Sequence, residues 1–560
     1  MTRRRESRSE SLAKKVGTAY ANYVLFVLFL VYVNNFVDRL IISILADEIK
    51  YDLQISDAQL GFLAGTAFAV FYALFGLPLG RLADLWVRKK LIAIGLAGWS
   101  LMTTLSGTAS NLLQLALFRC GVGIGEASAS PAAFSMLCDY FPPRLRATVL
   151  AIYTSGAYFG MGLGVFLGGW IVSSWKSVYP TAEMAPFGLA AWQAAFIIVG
   201  FPGILLAVWV ASLREPVRGQ TENIYSESHP HPFRATLRDV LAIVPPLTLA
   251  NLVIVGGRKV VTVNLVVAAM LVALSAALVQ LTGDLAQWMV LGIGIYAAFS
   301  WTQNLALRDP PTFRMIFGSR AFIFAIVGFS SINFVAYGLA IWLPSFFIRV
   351  HQMEAGHVGM LVGLSIAFGG CLGVNLGGYL SDLWRRKHDR GRIYLGLLTV
   401  ALSVPAALVL FLTDTLVVAL IFNFLVAVLM AMWVGSATST VTELVLPRMR
   451  AVASAFYFLL NVFIGLALGP YLIGMASDVL TARGSSPGDA LRISMMAAVC
   501  FYVVPATLLF LSLDHIQAAV RDRVARAIAA GEPESSIREM ASPLPYRPAP
   551  GQSAVKPITS

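Results

Sequence analysis

Gly80-Arg81-Leu82-Ala83-Asp84-Leu85-Trp86-Val87-Arg88-Lys89 recurs 298 residues later as Gly378-Tyr379-Leu380-Ser381-Asp382-Leu383-Trp384-Arg385-Arg386-Lys387. The same offset sets Gly61 on Gly359 and Asn35 on Asn333. A second loop, Pro143-Arg144-Leu145-Arg146-Ala147, returns as Pro447-Arg448-Met449-Arg450-Ala451 at offset 304, which matches Tyr153 with Tyr457 and puts Asp139 opposite Glu443. Two loops repeated in one order at nearly one offset indicate duplication. Both join long apolar stretches, so the duplicated unit is a bundle of membrane helices. Two parallel halves of that kind pack about an axis along the membrane normal, with a substrate site between them near the midplane.

Composition points the same way. Of 560 residues, 58 % are hydrophobic and only 12 % charged, with mean hydropathy +0.75, whereas a soluble domain carries about 25 % charged residues. That leaves too little polar material to cover a soluble protein of this size, and it rules out a largely disordered chain or a disulfide scaffold. Cys120, Cys138, Cys371 and Cys500 all fall in apolar stretches and read as small buried hydrophobes.

A spanning helix needs about 20 apolar residues. Such stretches lie at 21–46, 58–80, 89–108, 111–138, 146–173 and 188–212, then at 260–282 and 285–306, then at 320–348, 356–380, 392–412, 415–443, 450–477 and 490–512. The fold class is therefore an all-α polytopic membrane protein, with two six-helix bundles and two extra helices between them. Its parts are an N-terminal tail (1–20), a first bundle (21–212), a linker (213–319), a second bundle (320–513) and a C-terminal tail (514–560). Segment 241–256, with Pro245-Pro246, reads as an interfacial or re-entrant piece. The final tail reads as a short amphipathic helix over 514–530 followed by a disordered Pro/Ser-rich stretch.

Charge sets the orientation. With the N-terminus inside, all but seven of the 41 basic residues fall on the cytoplasmic side. Lys50, Lys176, Arg349, Arg483 and Arg492 fall outside, while Arg39 and Arg119 fall within spans. This satisfies the positive-inside rule with both termini cytoplasmic, and counting 241–256 as a span would reverse it for every later loop. The net charge of +12 is thus topological, and no nucleic-acid partner is expected. The basic tail with Arg3, Arg4, Arg5, Arg8, Lys14 and Lys15 leads into the first span without a signal-peptide cleavage site.

Charges inside spans are informative, because each costs about 2.5–3.5 kcal/mol or more near the bilayer centre. The first span carries Asn34-Asn35-Phe36-Val37-Asp38-Arg39 and the fourth carries Arg119 and Glu126. Seven residues separate Arg119 from Glu126, which puts them on one helix face. Two carboxylates and two guanidiniums are neutral together if they converge. The repeat aligns them with Ala336, Tyr337, Asn423 and Met430, so the charged centre belongs to the first half alone. Buried carboxylates beside arginine suit proton coupling, with Asp38 and Glu126 as the proton carriers. Arg119 serves equally well as the partner of an anionic substrate. Tyr153, Tyr158 and Tyr337 are candidate substrate contacts, since a hydroxyl within a span needs a partner. Gly156, Gly160, Gly164 and Gly168, with Gly162 and Gly169 beside them, open one face of the fifth span to close helix packing, static or at a moving interface.

The glycine, aspartate and basic residues of the repeated loop resemble the signature loop of the major facilitator superfamily. Asn34 to Arg39, Ile55-Ser56-Asp57 and Gly123-Ile124-Gly125-Glu126-Ala127-Ser128 together resemble its Spinster branch, of bacterial type, over nearly all of both bundles. The resemblance implies a transporter of lysolipid or sphingolipid phosphate type, with Asp38, Arg39, Arg119 and Glu126 as coupling or substrate residues. Asp84, Arg88, Asp382 and Arg386 would form conformational latches at the repeated loops. The linker's two extra spans depart from a twelve-helix member, and as a pair they preserve parity.

The expected function is secondary active transport by alternating access, coupling protons to the movement of an amphipathic organic anion or a lysolipid or sphingolipid. The alternative is an uncoupled facilitator, or an exporter of small organic anions or drugs. An enzyme is not expected, since the sequence has no His-Glu-x-x-His and no Gly-x-Ser-x-Gly with suitable partners. It also lacks a phosphate-binding Gly-x4-Gly-Lys-Ser/Thr loop. No cofactor or metal is expected, membrane lipids are the surroundings, and the unit is a monomer. The location is a plasma membrane, the inner one in a bacterium.

Overall fold

The computed structural model describes residues 18–221, 230–243 and 247–533. The basic N-terminal residues, the Pro245-Pro246 pair and the Pro/Ser-rich end lie outside the described residues. Apolar runs of this length become helices because in lipid every backbone N–H and C=O must be paired within its own segment.

The first bundle contains α1 (Thr18–Ile44), α2 (Asp57–Leu85), α3 (Arg88–Ser106), α4 (Leu112–Glu126 with Ala129–Tyr140), α5 (Arg146–Val178) and α6 (Ala191–Ser212). The insertion adds α7 (Leu247–Thr282) and α8 (Leu285–Arg308). The second bundle contains α9 (Arg320–Val350), α10 (Ala355–Lys387), α11 (Gly391–Leu412), α12 (Leu416–Glu443), α13 (Pro447–Ala482) and α14 (Pro487–Arg521). Among the described residues, twelve helices are long and apolar enough to cross a membrane. The other two are α3, which opens on Arg88-Lys89-Lys90, and α4, which breaks at Ala127-Ser128. With these two included, the helices follow one another as six, two and six.

Segment 247–256 is the first part of α7, set off by Gly257 at φ 71°. It is therefore no separate span, and α7 begins earlier than the apolar run at 260. The tail forms helix through Arg521 and again at Arg523–Ala529.

The halves meet along two seams related by the repeat. At one, Gly61 and Gly65 of α2 lie against the backbone of α13 at Pro470, Tyr471 and Leu466. At the other, Gly359 and Gly363 of α10 lie against α5 at Val165, Gly169 and Gly162. These pairs differ by the same 298 residues as the repeated loops. Turns of π-helix at Ser365–Gly369 and Asn461–Ala467 lie in α10 and α13, the second-half partners in these seams.

The fifth-span glycines divide between two tasks. Gly160 and Gly164 pack on the α1 backbone at Val33 and Val37, inside the first half, whereas Gly162 and Gly169 meet α10 across the seam. A Cβ on Gly162 would stand 2.3 Å from the Gly363 carbonyl oxygen. Gly162→Val is therefore expected to destabilise this arrangement by about 1–3 kcal/mol, the usual cost of overpacking. Gly76→Val, with nothing within 4 Å of its Cβ, should leave it intact. Thermal unfolding of the purified variants checks this.

The insertion is not peripheral. Helix α8 packs on α2 and α13 together: Gly294 meets Val70 and Phe463, and the Tyr471 hydroxyl donates to Asp284 at 2.8 Å. It thus covers the α2–α13 seam on its outer flank. Asn264 ties α7 to α8 through Ser300 and Gln303, and accepts from the Tyr296 hydroxyl at 2.6 Å.

Candidate functional site

Helices α1 and α4 bring the four in-span charges together. Arg39 Nη2 donates to Glu126 Oε2 at 2.6 Å and Nε reaches the same oxygen at 3.3 Å, with both side chains buried. The Arg39 guanidinium is sandwiched by Phe36, Phe68 and Tyr72, 4.6–4.9 Å from their ring centres, a cation–π arrangement that stabilises a desolvated cation. Asn35, one turn earlier on α1, accepts from Arg39 at 3.5 Å.

Asp38 and Arg119 do not form a side-chain pair. Arg119 Nη1 donates to the Asp38 backbone oxygen at 3.0 Å, and Nε to the Leu63 carbonyl at 3.4 Å. The Asp38 carboxylate accepts from Asn34 Nδ2 at 2.9 Å. Three buried polar atoms stay without a hydrogen-bond partner: Asp38 Oδ1, Glu126 Oε1 and Arg119 Nη2. Buried polar groups are normally paired, so these three atoms set the cluster apart from an ordinary structural ion pair.

Around this cluster stands a set of tyrosines. Tyr153 is fully buried, stacked on Tyr32 at 4.4 Å and edge-on to Phe134 at 5.3 Å. Tyr158 lies against the bare Cα of Gly370 in the second half. Tyr337 comes from α9 and stands near Arg39, Tyr72, Tyr158 and Tyr457. The charged centre belongs to one half, and Tyr337 of the other half stands near its Arg39. Tyr32, Tyr72 and Tyr457 were not among the expected contacts. Tyr457 was legible as the repeat partner of Tyr153.

At the end bearing the two repeated basic loops, the latch expectation divides. Arg88 is buried, ion-paired to Asp139, and bonded to Glu215 at 2.8 Å and to Ser135. In the second half, Glu443 takes Arg385 at 2.5 Å and also Arg392, while Arg386 points elsewhere. Asp84, Asp382 and Arg386 are exposed and make no ion pair among the described residues. Arg386 lies in the last turn of α10. At the offset of 304 that puts Asp139 on Glu443, Arg88 falls on Arg392, which pairs with Glu443 as Arg88 pairs with Asp139.

The opposite end carries a clamp that the sequence reading passed over. Buried Asp57 accepts both Arg349 nitrogens, at 2.9 and 3.0 Å, together with Lys50 at 2.6 Å and the Ser477 hydroxyl at 2.8 Å. Arg349 also holds Asp47 at 2.7 Å. Asp478 of α13 accepts the backbone N–H groups of Asp57 and Ala58, so a carboxylate from one half caps a helix N-terminus of the other. Ser56 caps the same helix within its own chain segment, in a capping box with Gln59. Asp57 belonged to a quoted motif and Arg349 was named only as a basic residue of an outer loop, while Asp478 carried no signal of its own. Among the described residues, no ion pair joins the two halves at the basic end. Among the described residues, no three His, Cys, Asp or Glu side chains gather as a metal site would.

Comparison with known proteins places the chain in a family of transporters. The family model described as Major Facilitator Superfamily matches residues 24–470. An MFS-type efflux pump of Mycolicibacterium smegmatis is 27 % identical over 487 residues, 86 % of this chain and 91 % of the pump. Protein spinster homolog 1 of Xenopus tropicalis is 26 % identical over 529 residues, 90 % of this chain and 84 % of that protein. A crystal structure of a bacterial homologue of the human lysosomal transporter Spinster, inward-facing and unoccupied, superposes with a TM-score of 0.66 at 26 % identity. That match covers 90 % of this chain and 99 % of the homologue.

Proposed function

This chain belongs to the Major Facilitator Superfamily, and on that premise we propose that it is a proton-coupled secondary transporter of an amphipathic organic anion, of lysolipid or sphingolipid phosphate type. The carrying observation is the buried Arg39–Glu126 pair of one half, with Tyr337 of the other half near Arg39. Each carboxyl of the cluster has one oxygen without a donor, the atom on which a transported proton would sit. Arg119, with a free Nη2, is the anion partner when the halves part. The aromatic walls suit the apolar portion of such a substrate.

The basic end is cytoplasmic by the positive-inside rule. The Asp57–Arg349–Asp478 clamp then closes the outer side, and this conformation is inward-facing. Release of the clamp with closure of the cytoplasmic ends is the other half of the alternating cycle. The protein resides as a monomer in a plasma membrane, the inner one in a bacterium. The efflux-pump relative favours a second reading, export of small organic anions or drugs.

Purified protein in liposomes with an internal pH dye tests the first reading. Adding lysophospholipid or sphingosine phosphate should produce proton movement that saturates with substrate. Labelled lipid crossing without any proton signal would overturn coupling. Proton movement driven by small organic anions alone would favour the second reading.

A further inference from the structure

The insertion is fastened to a different half at each of its ends. Its entry is tied to the first half. Arg218 Nη2 donates to the backbone oxygens of Ala83 and Trp86, each at 2.6 Å, and the Gly219 N–H donates to Asp139 at 2.9 Å. In the short helix Pro232–Ile243 the Phe233 ring stands edge-on to Trp86, 4.9 Å between centres. Its exit is tied to the second half. Asp284, at the start of α8, accepts from Tyr471, whose ring also meets Trp288 edge-on at 5.4 Å. Asp309, just past the end of α8, accepts from Arg448 at 2.8 Å and caps the helix Pro310–Phe317 that leads into α9. Tyr471 and Arg448 both belong to α13, so one helix of the second half holds α8 at both ends.

Between entry and exit the backbone of α7 breaks. Gly257 stands at φ 71°, ψ −174°, a region that residues with a side chain avoid. A Cβ there would meet nothing within 4 Å, so this glycine serves the bend and not close packing. Past the break, the Asn264 contacts with Tyr296, Ser300 and Gln303 lock α7 to α8. Against α2 this locked pair makes apolar contact. Val70 and Leu74 of α2 share one cluster with Ala297 of α8 and with Leu459 and Phe463 of α13. Apolar burial has no direction and tolerates sliding, whereas the hydrogen bonds to α13 weaken steeply once their angles change.

We propose that the insertion is a hinged cover: residues 258–308 move as one body with the second half, residues 214–221, 232–243 and 247–256 stay with the first, and Gly257 is the hinge. The proposal rests on the alternating cycle described above. Its consequence is that α8 shields the α2–α13 seam from lipid in both conformations, whatever the Arg39–Glu126 centre transports.

Spin-label pairs on the full chain, in a background without the native cysteines, test this at the exposed positions Tyr51, Val253, Met270 and Val479. Tyr51 and Val479 lie on the two halves at the clamped end, and Val253 and Met270 flank the hinge on α7. Distances are read by double electron–electron resonance with Arg349 present and with Arg349→Met. The Tyr51–Val479 distance should lengthen and the Val253–Met270 distance should shift with it, while Met270–Val479 stays as it was. A Met270–Val479 distance that moves along with Tyr51–Val479 would overturn the assignment of α7 and α8 to the second half. A constant Val253–Met270 distance would make α7 a rigid rod and remove the hinge. Gly257→Ala acts on the backbone alone, so it should by itself shift Val253–Met270 and leave Met270–Val479 unchanged; no shift would rule out Gly257 as the bending point. A Tyr51–Val479 distance that stays fixed in both Arg349→Met and Asp57→Asn would sink the alternating cycle, and this proposal with it.

Discussion

Glu126→Gln is expected to abolish substrate accumulation driven by a pH gradient while the protein still folds, inserts and exchanges substrate. Glutamine keeps the length of the side chain and an oxygen for Arg39, whose bond to Glu126 is 2.6 Å. What it removes is the charge and the oxygen that can carry a proton. One pH unit supplies about 1.4 kcal/mol per proton, a tenfold accumulation for one coupled proton. The unaltered protein should approach that factor, and Glu126→Gln should equilibrate substrate without concentrating it. Removing one member of a buried pair costs about 3–5 kcal/mol. The retained hydrogen bond should keep the loss below that range, so a melting curve controls for misfolding. Driven accumulation equal to that of the unaltered protein would sink the coupling role of Glu126. The same measurement on Asp38→Asn separates the two carboxyls, since Asp38 has an amide neighbour rather than an ion-pair partner.

Arg349→Met should release the clamp at the end opposite the basic loops. The bidentate contact to Asp57 and the bond to Asp47 are lost together, leaving buried Asp57 with Lys50 and Ser477. Loss of a buried ion pair disfavours this conformation by about 3–5 kcal/mol, and every 1.4 kcal/mol is about tenfold in population. The equilibrium therefore shifts by about a hundredfold or more towards the conformation open at that end. A cysteine at Ala58, which is 4 % exposed, reports the shift in a background without the native cysteines. Labelling by a membrane-impermeant maleimide should be slow with Arg349 present and at least about tenfold faster with Met. Unchanged labelling would mean that the glycine seams, not the ion pairs, hold this end closed. Asp57→Asn should act in the same direction, with a smaller effect because an amide can still accept from Arg349.

The repeated loops belong to a separate set of contacts. Arg88 with Asp139 and Glu215, and Arg385 and Arg392 with Glu443, join elements on the same side of the seam. In this conformation they brace each half from within. The pairs that cross between halves lie at the other end, at residues with no counterpart in the repeat: Asp57 aligns with Ala355.

Hydropathy and the 298-residue offset were enough to establish membrane spans and the duplicated bundles. These properties are sums over a segment, and the bilayer imposes helix on any apolar run long enough to cross it. The in-span charges were legible for the same reason, because the cost of a charge in lipid depends on depth and hardly on neighbours. Which atoms pair was not legible. Arg39 takes Glu126 and not its neighbour on another helix face, Arg119 takes a backbone oxygen, and Glu443 takes Arg385 together with Arg392. Each outcome turns on helix rotation by a fraction of a turn, since adjacent residues point about 100° apart. The contact between Asp57 and Arg349, 292 residues apart, and the seat of α8 on the α2–α13 seam depend on how two separately folded halves dock. Only the tertiary structure decides that, because close backbone approach at Gly61, Gly65, Gly359 and Gly363 selects one docking from many that the same hydropathy pattern would permit.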